Sequence, residues 1–265
     1  MLKIDKLTAP EGLLEYLNIE LQEELGIQPT YTGFTNFRKE KDENGQRILP
    51  NEETPFYQLR MQLLQEQKYL CAYCGQELLV VENENNVPQM KTEHFVPQND
   101  VLENDLNYQN LLGCCLGRDN MPGENHCDSM KGNATFKHLE NPAIINFRDK
   151  DIVYSVNKNA EEVLVFSVND AKNFELTGIK DEKTGKKAKE NHLNLNHDVL
   201  KKGRYMEWKN VLSKTLGDDK STWDFDKVKE IIADYSDINS THNKKFKDFI
   251  LWYLEDWMAK QAITT

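Results

Sequence analysis

The sequence predicts an α+β protein that is mainly helical, with a short β-rich centre. Three observations predict it. Apolar residues recur at helical spacing in the first 70 residues and again in the last 70; short β-prone runs replace them after residue 71; and all five cysteines fall between positions 71 and 127. The chain has 265 residues, 38% of them hydrophobic and 29% charged, a balance suited to a globular protein with a sizeable core. No run approaches the ~18 apolar residues of a membrane span, and Met1 to Pro10 lacks the apolar stretch of a signal peptide. A cytoplasmic protein with no membrane association is expected.

Pro10–Leu25 reads as the first helix, opened by Pro10, with Leu13, Leu14, Leu17 and Leu21 on one face and Gly26 as its stop. Residues 26–52 mix Gly, Pro, Asn and charge without periodicity and read as loop. Thr54–Leu70 is a second helix, capped by Thr54 with Pro55 in its first turn, leading straight into Cys71. The runs 78–81 (LLVV) and 87–95 (VPQMKTEHF) flank the polar ENENN and predict a β-hairpin. Asn104–Gly117 reads as irregular around an apolar LNYQNLL, and Cys127–Leu139 as a short helix. Strands are expected over Ile152–Val156 and Val163–Val168, a charged linker over 180–190, and helices over roughly 198–216, 224–236 and 242–259. This divides the chain into an N-terminal helical region (1–67), a cysteine-framed core (68–140) and a C-terminal region of strands and helices (141–265) that offers a partner-docking surface if its apolar stripe is exposed.

Charge narrows the function classes. With 33 Lys+Arg against 44 Asp+Glu, the net charge is -11. A protein that holds nucleic acid by bulk phosphate attraction is normally basic, so any such contact here must be a local patch, or a partner must supply the positive surface. The odd, clustered cysteines in a chain without a secretion signal read as reduced thiols, and the question is whether they hold a metal.

Three elements converge between 71 and 132. Cys71-x-x-Cys74 is followed by Cys114, Cys115 and Cys127, with eleven residues between the last two. Tetrahedral Zn2+ takes thiolates, and a C-x-x-C knuckle supplies two of four. Cys114, Cys115 and His126 compete for the remaining places; Cys115 and Cys127 are favoured, against a plain reading as buried free thiols. The second element is Glu93-His94. A neutral imidazole is the natural base for deprotonating water near pH 7, but neighbours on a strand face opposite ways, so a bulge or turn is needed to bring both to one place. The third is Asp128 with Lys131, one helical turn apart. Glu93 and Asp128 offer oxygen ligands to a hard cation such as Mg2+, and Lys131 a contact for phosphate. The plainer alternative is a helix-capping Asp beside a solvated Lys.

In this order, C-x-x-C, Glu-His, Asn, Cys, Cys-Asp-x-x-Lys-Gly, the residues resemble the HNH endonucleases with a ββα-metal fold. More narrowly, CAYCG, TEHFVP, NYQNLLGCC and HCDSMKGN look like the PtuB-type nucleases of Septu anti-phage systems and Septu-like retron effectors. The likeness is specific over roughly 68–136 and looser over LNLNHDVLKKGR (193–204). It implies a ββα hairpin-helix core with a structural zinc site, flanked by N- and C-terminal helices. By position, His94 matches the general base, Glu93 the preceding metal ligand, and Asn110 the amide that ties the connecting loop to the hairpin and orients the His. Asp128 stands where the family has a final His or Asn; an anionic ligand there favours Mg2+ or Mn2+. The implied activity is metal-assisted phosphodiester hydrolysis of DNA or RNA, tRNA included, in a complex with a PtuA-type ATPase and, in retron systems, a reverse transcriptase with its nucleic acid.

A zinc-knuckle module that binds nucleic acid or protein without cutting, and a structural adaptor for the ATPase, are the competing readings. The Lys180–Lys189 run and Lys201, Lys202 and Arg204 are candidate phosphate contacts or simply solvated faces. The C-terminal stripe of Phe246, Phe249, Ile250, Tyr253, Leu254 and Trp257, with Trp252 beside it, is core by its spacing, or a docking surface if exposed.

Overall fold

The structure, a computed structural model, describes residues 4–26, 28–39, 43–45, 53–80, 88–98, 105–118, 125–131, 193, 195 and 197–264, together with the backbone of 152–156 and 163–167. Among them helices dominate, with two small antiparallel two-stranded sheets. No helix among these residues is long and apolar enough to cross a membrane. The charged run 180–190, the end of the helix expected after Cys127 and residues 81–87 of the expected hairpin lie outside the described residues.

The first expected helix is two: α1, Glu11–Tyr16, and α2, Ile19–Leu25. Asn18 divides them, because its side-chain oxygen accepts from the backbone N–H of Glu20 and Leu21 and so caps a new helix. Gly26 ends α2 in the left-handed conformation, φ 61°, where a residue without Cβ carries no penalty. A third helix, α3 (Tyr31–Asn36), lies in the stretch expected to be loop. It is too short to show a period; Thr30 caps it, and Phe34 is buried against Tyr16 with ring centroids 5.5 Å apart. α4, Pro55–Glu66, starts as expected, with Thr54 capping Tyr57 and Pro55 in the first turn. It stops short of Leu70 because Lys68 and Tyr69 turn left-handed. Gln67 then stitches α4 to the sheet: its amide accepts from Gly113 N–H at 2.6 Å and donates to Gly113 O at 2.7 Å.

The strand pairing differs from expectation. β1, Lys91–His94, pairs with β2, Leu111–Cys114, in the register Lys91↔Cys114 and His94↔Leu111. Among the described residues, the run 78–80 meets its expected partner through the Val80↔Pro88 bridge and the Gln89 N–H donated to Leu79 O. β2 is buried at all four positions, so it has no polar-apolar alternation to mark it, and a short, wholly apolar run does not declare itself a strand. α5, Asp128–Lys131, follows.

β3 (Ile152–Val156) and β4 (Val163–Ser167) are the two strands expected there, and they pair antiparallel. α6, Asp198–Trp208, continues through a π-helical turn (Lys209–Ser213) and one last turn, Lys214–Leu216. α7 is Phe225–Ser236 and α8 Lys247–Thr264. On α8 the stripe Phe249, Ile250, Tyr253, Leu254 and Trp257 is buried, joined by Phe246 just before it, and Trp223 and Trp208 pack on Trp257 and Tyr253. The stripe is core, not a docking face. Arg204 is likewise buried, donating to Leu195 O, which removes it from the candidate phosphate contacts.

Candidate functional site

The C-x-x-C turn is wound by the chain itself: Cys71 N–H donates to Gln76 O at 2.8 Å, Gly75 N–H to Cys71 O at 3.2 Å, and Gly75 adopts φ 71°. The C-terminal part holds it in place through Phe246 N–H to Gly75 O at 2.7 Å. β2 delivers Cys115 at its end, and Cys127 enters with φ 56°, its N–H on Leu193 O at 2.8 Å. Segment 193–204 is therefore a buttress of the cluster.

The result is four thiols, Cys71, Cys74, Cys115 and Cys127, all within 4.8 Å of one another. Cys74 and Cys115 stand 3.8 Å apart, Cys71 and Cys127 4.0 Å. A tetrahedron with Zn–S bonds of ~2.3 Å has edges of about 3.8 Å, so the set fits Zn2+. Cys115 N–H points at Cys71 Sγ, 3.3 Å away. Burial pushes the Cys74 and Cys127 thiols well up. It acts on Cys71 too, but hydrogen bonds from Cys114, Cys115, Cys127 and Cys74 outweigh it and take that thiol well below its ordinary range. Cys114 is buried outside the set, and His126 stands beside it with Nδ1 3.3 Å from Cys127 Sγ.

A second cluster lies one residue away from the first. Tyr73, inside the C-x-x-C turn, donates its hydroxyl to Glu93 Oε1 at 2.8 Å. Lys131 Nζ is 2.6 Å from the same oxygen and donates to His94 O at 3.0 Å. Both Glu93 and Lys131 are buried. The structure thus turns the Lys131 ammonium inward, not toward a solvent-borne phosphate as expected, because a buried carboxylate needs a countercharge. Asp128, one turn from Lys131, hydrogen-bonds Glu93 as well and lies 3.5 Å from Lys91 Nζ. Burial, then the Asp128 carboxylate, push the Glu93 carboxyl up to about 8 against the opposing pull of Lys131. A second carboxylate beside a buried one raises the cost of its charge, which a bound cation would lower.

His94 ends β1, and its ring leaves the carboxylates' side. Nε2 lies 2.9 Å from Asp105 O and 3.6 Å from Asp105 Oδ1. A carbonyl only accepts, so the proton is assigned to Nε2 and the lone pair to Nδ1. Burial pushes the imidazole below its ordinary range, against the Asp105 carbonyl and carboxylate, so it is neutral near pH 7. Lys131 and Asp128 also act on the ring through their charges. β1 pairs in regular register through Glu93 and His94, without the bulge expected between them, and a turn follows at once: Asn110 accepts from Val96 N–H at 2.8 Å and donates to Val96 O at 2.9 Å. Asn110 accordingly ties the chain after β1 to the start of β2.

Sequence reasoning missed Tyr73, Asp105 and Tyr31. Tyr73 sits between two cysteines, where only its x position was counted; Asp105 and Tyr31 meet His94 through tertiary folding and leave no local signal.

Comparison with known proteins gives one informative likeness. The chain is 31% identical over 129 residues to the "Retron Ec83 putative HNH endonuclease" of Escherichia coli. That likeness supports an HNH nuclease family. It covers 45% of this chain and 43% of the relative, so the chain spans under half of the relative's length. No family model matches.

Proposed function

We propose that the chain is a metal-dependent endonuclease of HNH type that hydrolyses phosphodiester bonds of DNA or RNA. The observation that carries it is an imidazole oriented by Asp105 on the same short hairpin as a buried carboxylate with a second carboxylate beside it, next to a four-thiol cluster. His94 Nδ1 takes the proton of a water that attacks phosphorus, and the P–O3′ bond breaks. Glu93 and Asp128 are the oxygen donors that would hold Mg2+ or Mn2+, which would supply charge stabilisation where negative charge builds in the reaction. Tyr73 and Lys131 fix Glu93; Asn110 fixes the turn after His94; Cys71, Cys74, Cys115 and Cys127 hold a structural Zn2+. In this reading the β1–β2 hairpin and α5 are the ββα-metal unit.

The acidic balance, -11 overall, supports a nuclease that works with a partner rather than by bulk attraction. We propose a PtuA-type ATPase in an anti-phage complex, with a retron reverse transcriptase and its nucleic acid as further members, after the resemblance in the sequence. The test incubates the chain, alone and with its genomic neighbour, with supercoiled plasmid and total tRNA in Mg2+ or Mn2+. Wild type is expected to cut one of them. His94→Ala should lower the rate about 10²–10⁴-fold while zinc content and melting temperature hold. Equal cleavage by both, or metal-independent cleavage, overturns the proposal. Binding without cutting in every combination leaves the zinc-knuckle module.

A further inference from the structure

Between the N-terminal helices and the end of β1, three contacts close a ring of residues that the hairpin and thiol cluster do not need. The Tyr31 ring stands edge-on to the His94 ring, centroids 4.6 Å apart and planes at 85°. Tyr31 N–H donates to Asp105 Oδ2 at 2.7 Å. Asp105 O, on the same residue, accepts from His94 Nε2 at 2.9 Å. Asp105 is therefore held by its side chain to α3 and by its main chain to the imidazole.

We propose that Tyr31 is a positioning residue for His94, so that the N-terminal segment completes the site. This rests on the nuclease reading. His94 is 9% exposed; its ring meets Asp105 O and the Tyr31 ring, and the Gln98 amide stands 3.3 Å from Nε2. Rotation about Cα–Cβ or Cβ–Cγ either breaks the Nε2–H bond to Asp105 O or drives the ring into Tyr31. One restraint alone leaves a rotation open, and a displacement of about 1 Å in a reacting group can cost on the order of 10²-fold in rate.

Tyr31 is itself held firmly. It opens α3, whose cap Thr30 donates its N–H to the Tyr16 hydroxyl. Gly33 leaves room for that hydroxyl, since a Cβ there would collide with it. Phe34 fixes the helix in the core, and Phe56 meets the Tyr31 ring edge-on at 6.1 Å. Were Tyr31 only core filler, substituting it would change stability and leave the imidazole alone.

The test reads the ring directly. In protein labelled with 15N-histidine, the His94 Nε2–H resonance is identified by its loss in His94→Ala. Wild type and Tyr31→Phe should show it in slow exchange; Tyr31→Ala should lose it or give a mixture of tautomers, with zinc content unchanged. In the cleavage assay Tyr31→Ala should lower kcat by about 10–10²-fold with KM little changed, and Tyr31→Phe should restore most of the loss. Should Tyr31→Ala not fold, Asp105→Ala, which frees the Tyr31 backbone but keeps the carbonyl, should weaken the same resonance. A resonance and a kcat indifferent to Tyr31→Ala and Asp105→Ala overturn the proposal. If wild type cuts nothing while the resonance depends on Tyr31, the nuclease reading fails and the restraint on His94 stands.

Discussion

Two clusters of ligand-type side chains share the centre of this molecule and differ in how they are assembled. The thiol cluster draws three of its four donors from turns that the chain winds locally, around Cys71, Cys74 and Cys127, and Cys115 follows directly on a buried strand. The carboxylate–imidazole cluster draws Tyr73 from the knuckle, Glu93 and His94 from β1, Asp105 from the following segment, Asp128 and Lys131 from α5, and Tyr31 from α3. Four soft, nearly equidistant donors make a closed structural centre. The second cluster balances part of its charge internally, through the Lys131–Glu93 contact, yet keeps Asp128 partly open at 22% exposure. The first kind of centre suits holding a fold; the second, if it binds a cation as proposed, is open enough to exchange it. Tyr73 joins them, so damage to the first should reach the second and not the reverse.

That asymmetry is most severely tested at Cys71, which lies buried among the thiols. Cys71→Ser leaves three thiols. Structural zinc contributes on the order of 10–16 kcal/mol in small zinc modules, comparable to a whole domain's stability of about 5–15 kcal/mol. The expected outcome is loss of bound zinc by metal analysis, with poor solubility or a melting temperature lowered by tens of degrees, and loss of any cleavage with it. Chelation of the wild type should do the same. A Cys71→Ser protein that melts like wild type breaks the division into a structural and a reactive centre.

How far each region could be read from the sequence follows the same division. The C-x-x-C and the later cysteines announce the thiol cluster because spacing within a turn is written in adjacent letters. The Glu93-His94 pair was read from its chemistry and Asn110 through the resemblance, and the structure puts Asn110 on the turn after β1. Helices α4, α6, α7 and α8 were legible because an amphipathic stripe repeats over several turns. α3 was not, having one turn and a half, and the split at Asn18 was not, because capping competes with helix continuation at equal local cost. β1's partner was misplaced since β2 is apolar throughout. Lys131 was assigned to phosphate because burial, which sends its ammonium to Glu93, is a property of the packed chain and not of the residue.

The Lys131–Glu93 contact gives the next effect. Both side chains are almost wholly buried, 1% and 4% exposed, and removing one partner of such a pair strands the other. Lys131→Met should lower stability by urea denaturation, with zinc retained, by less than the ~3–5 kcal/mol of a stranded buried charge, because Glu93, already pushed up to about 8, takes up a proton below that pH. Pairing it with Glu93→Gln should recover much of the loss, because no uncompensated carboxylate remains. If Lys131→Met is neutral in stability but abolishes nucleic-acid binding, the ammonium faces substrate after all and the inward placement is wrong.

The smallest effect concerns His94 and pH. Burial holds the folded imidazole below its ordinary value, more strongly than Asp105 raises it. The unfolded chain therefore takes up the proton first as pH falls. Stability attributable to His94 is present in full above about pH 6.5 and is lost as pH drops toward the folded-state value. Wild type should accordingly lose melting temperature between pH 7.5 and 5.5 more steeply than His94→Asn, whose side chain does not titrate. The acid limb of cleavage should lie below the ordinary imidazole range for the same reason. The thiol cluster sets the control: Cys114, which the four-thiol set does not use, can be made Ala without altering that difference in slope. A steeper slope in His94→Asn would mean the folded protein prefers the charged imidazole, and a charged imidazole cannot take a proton from water.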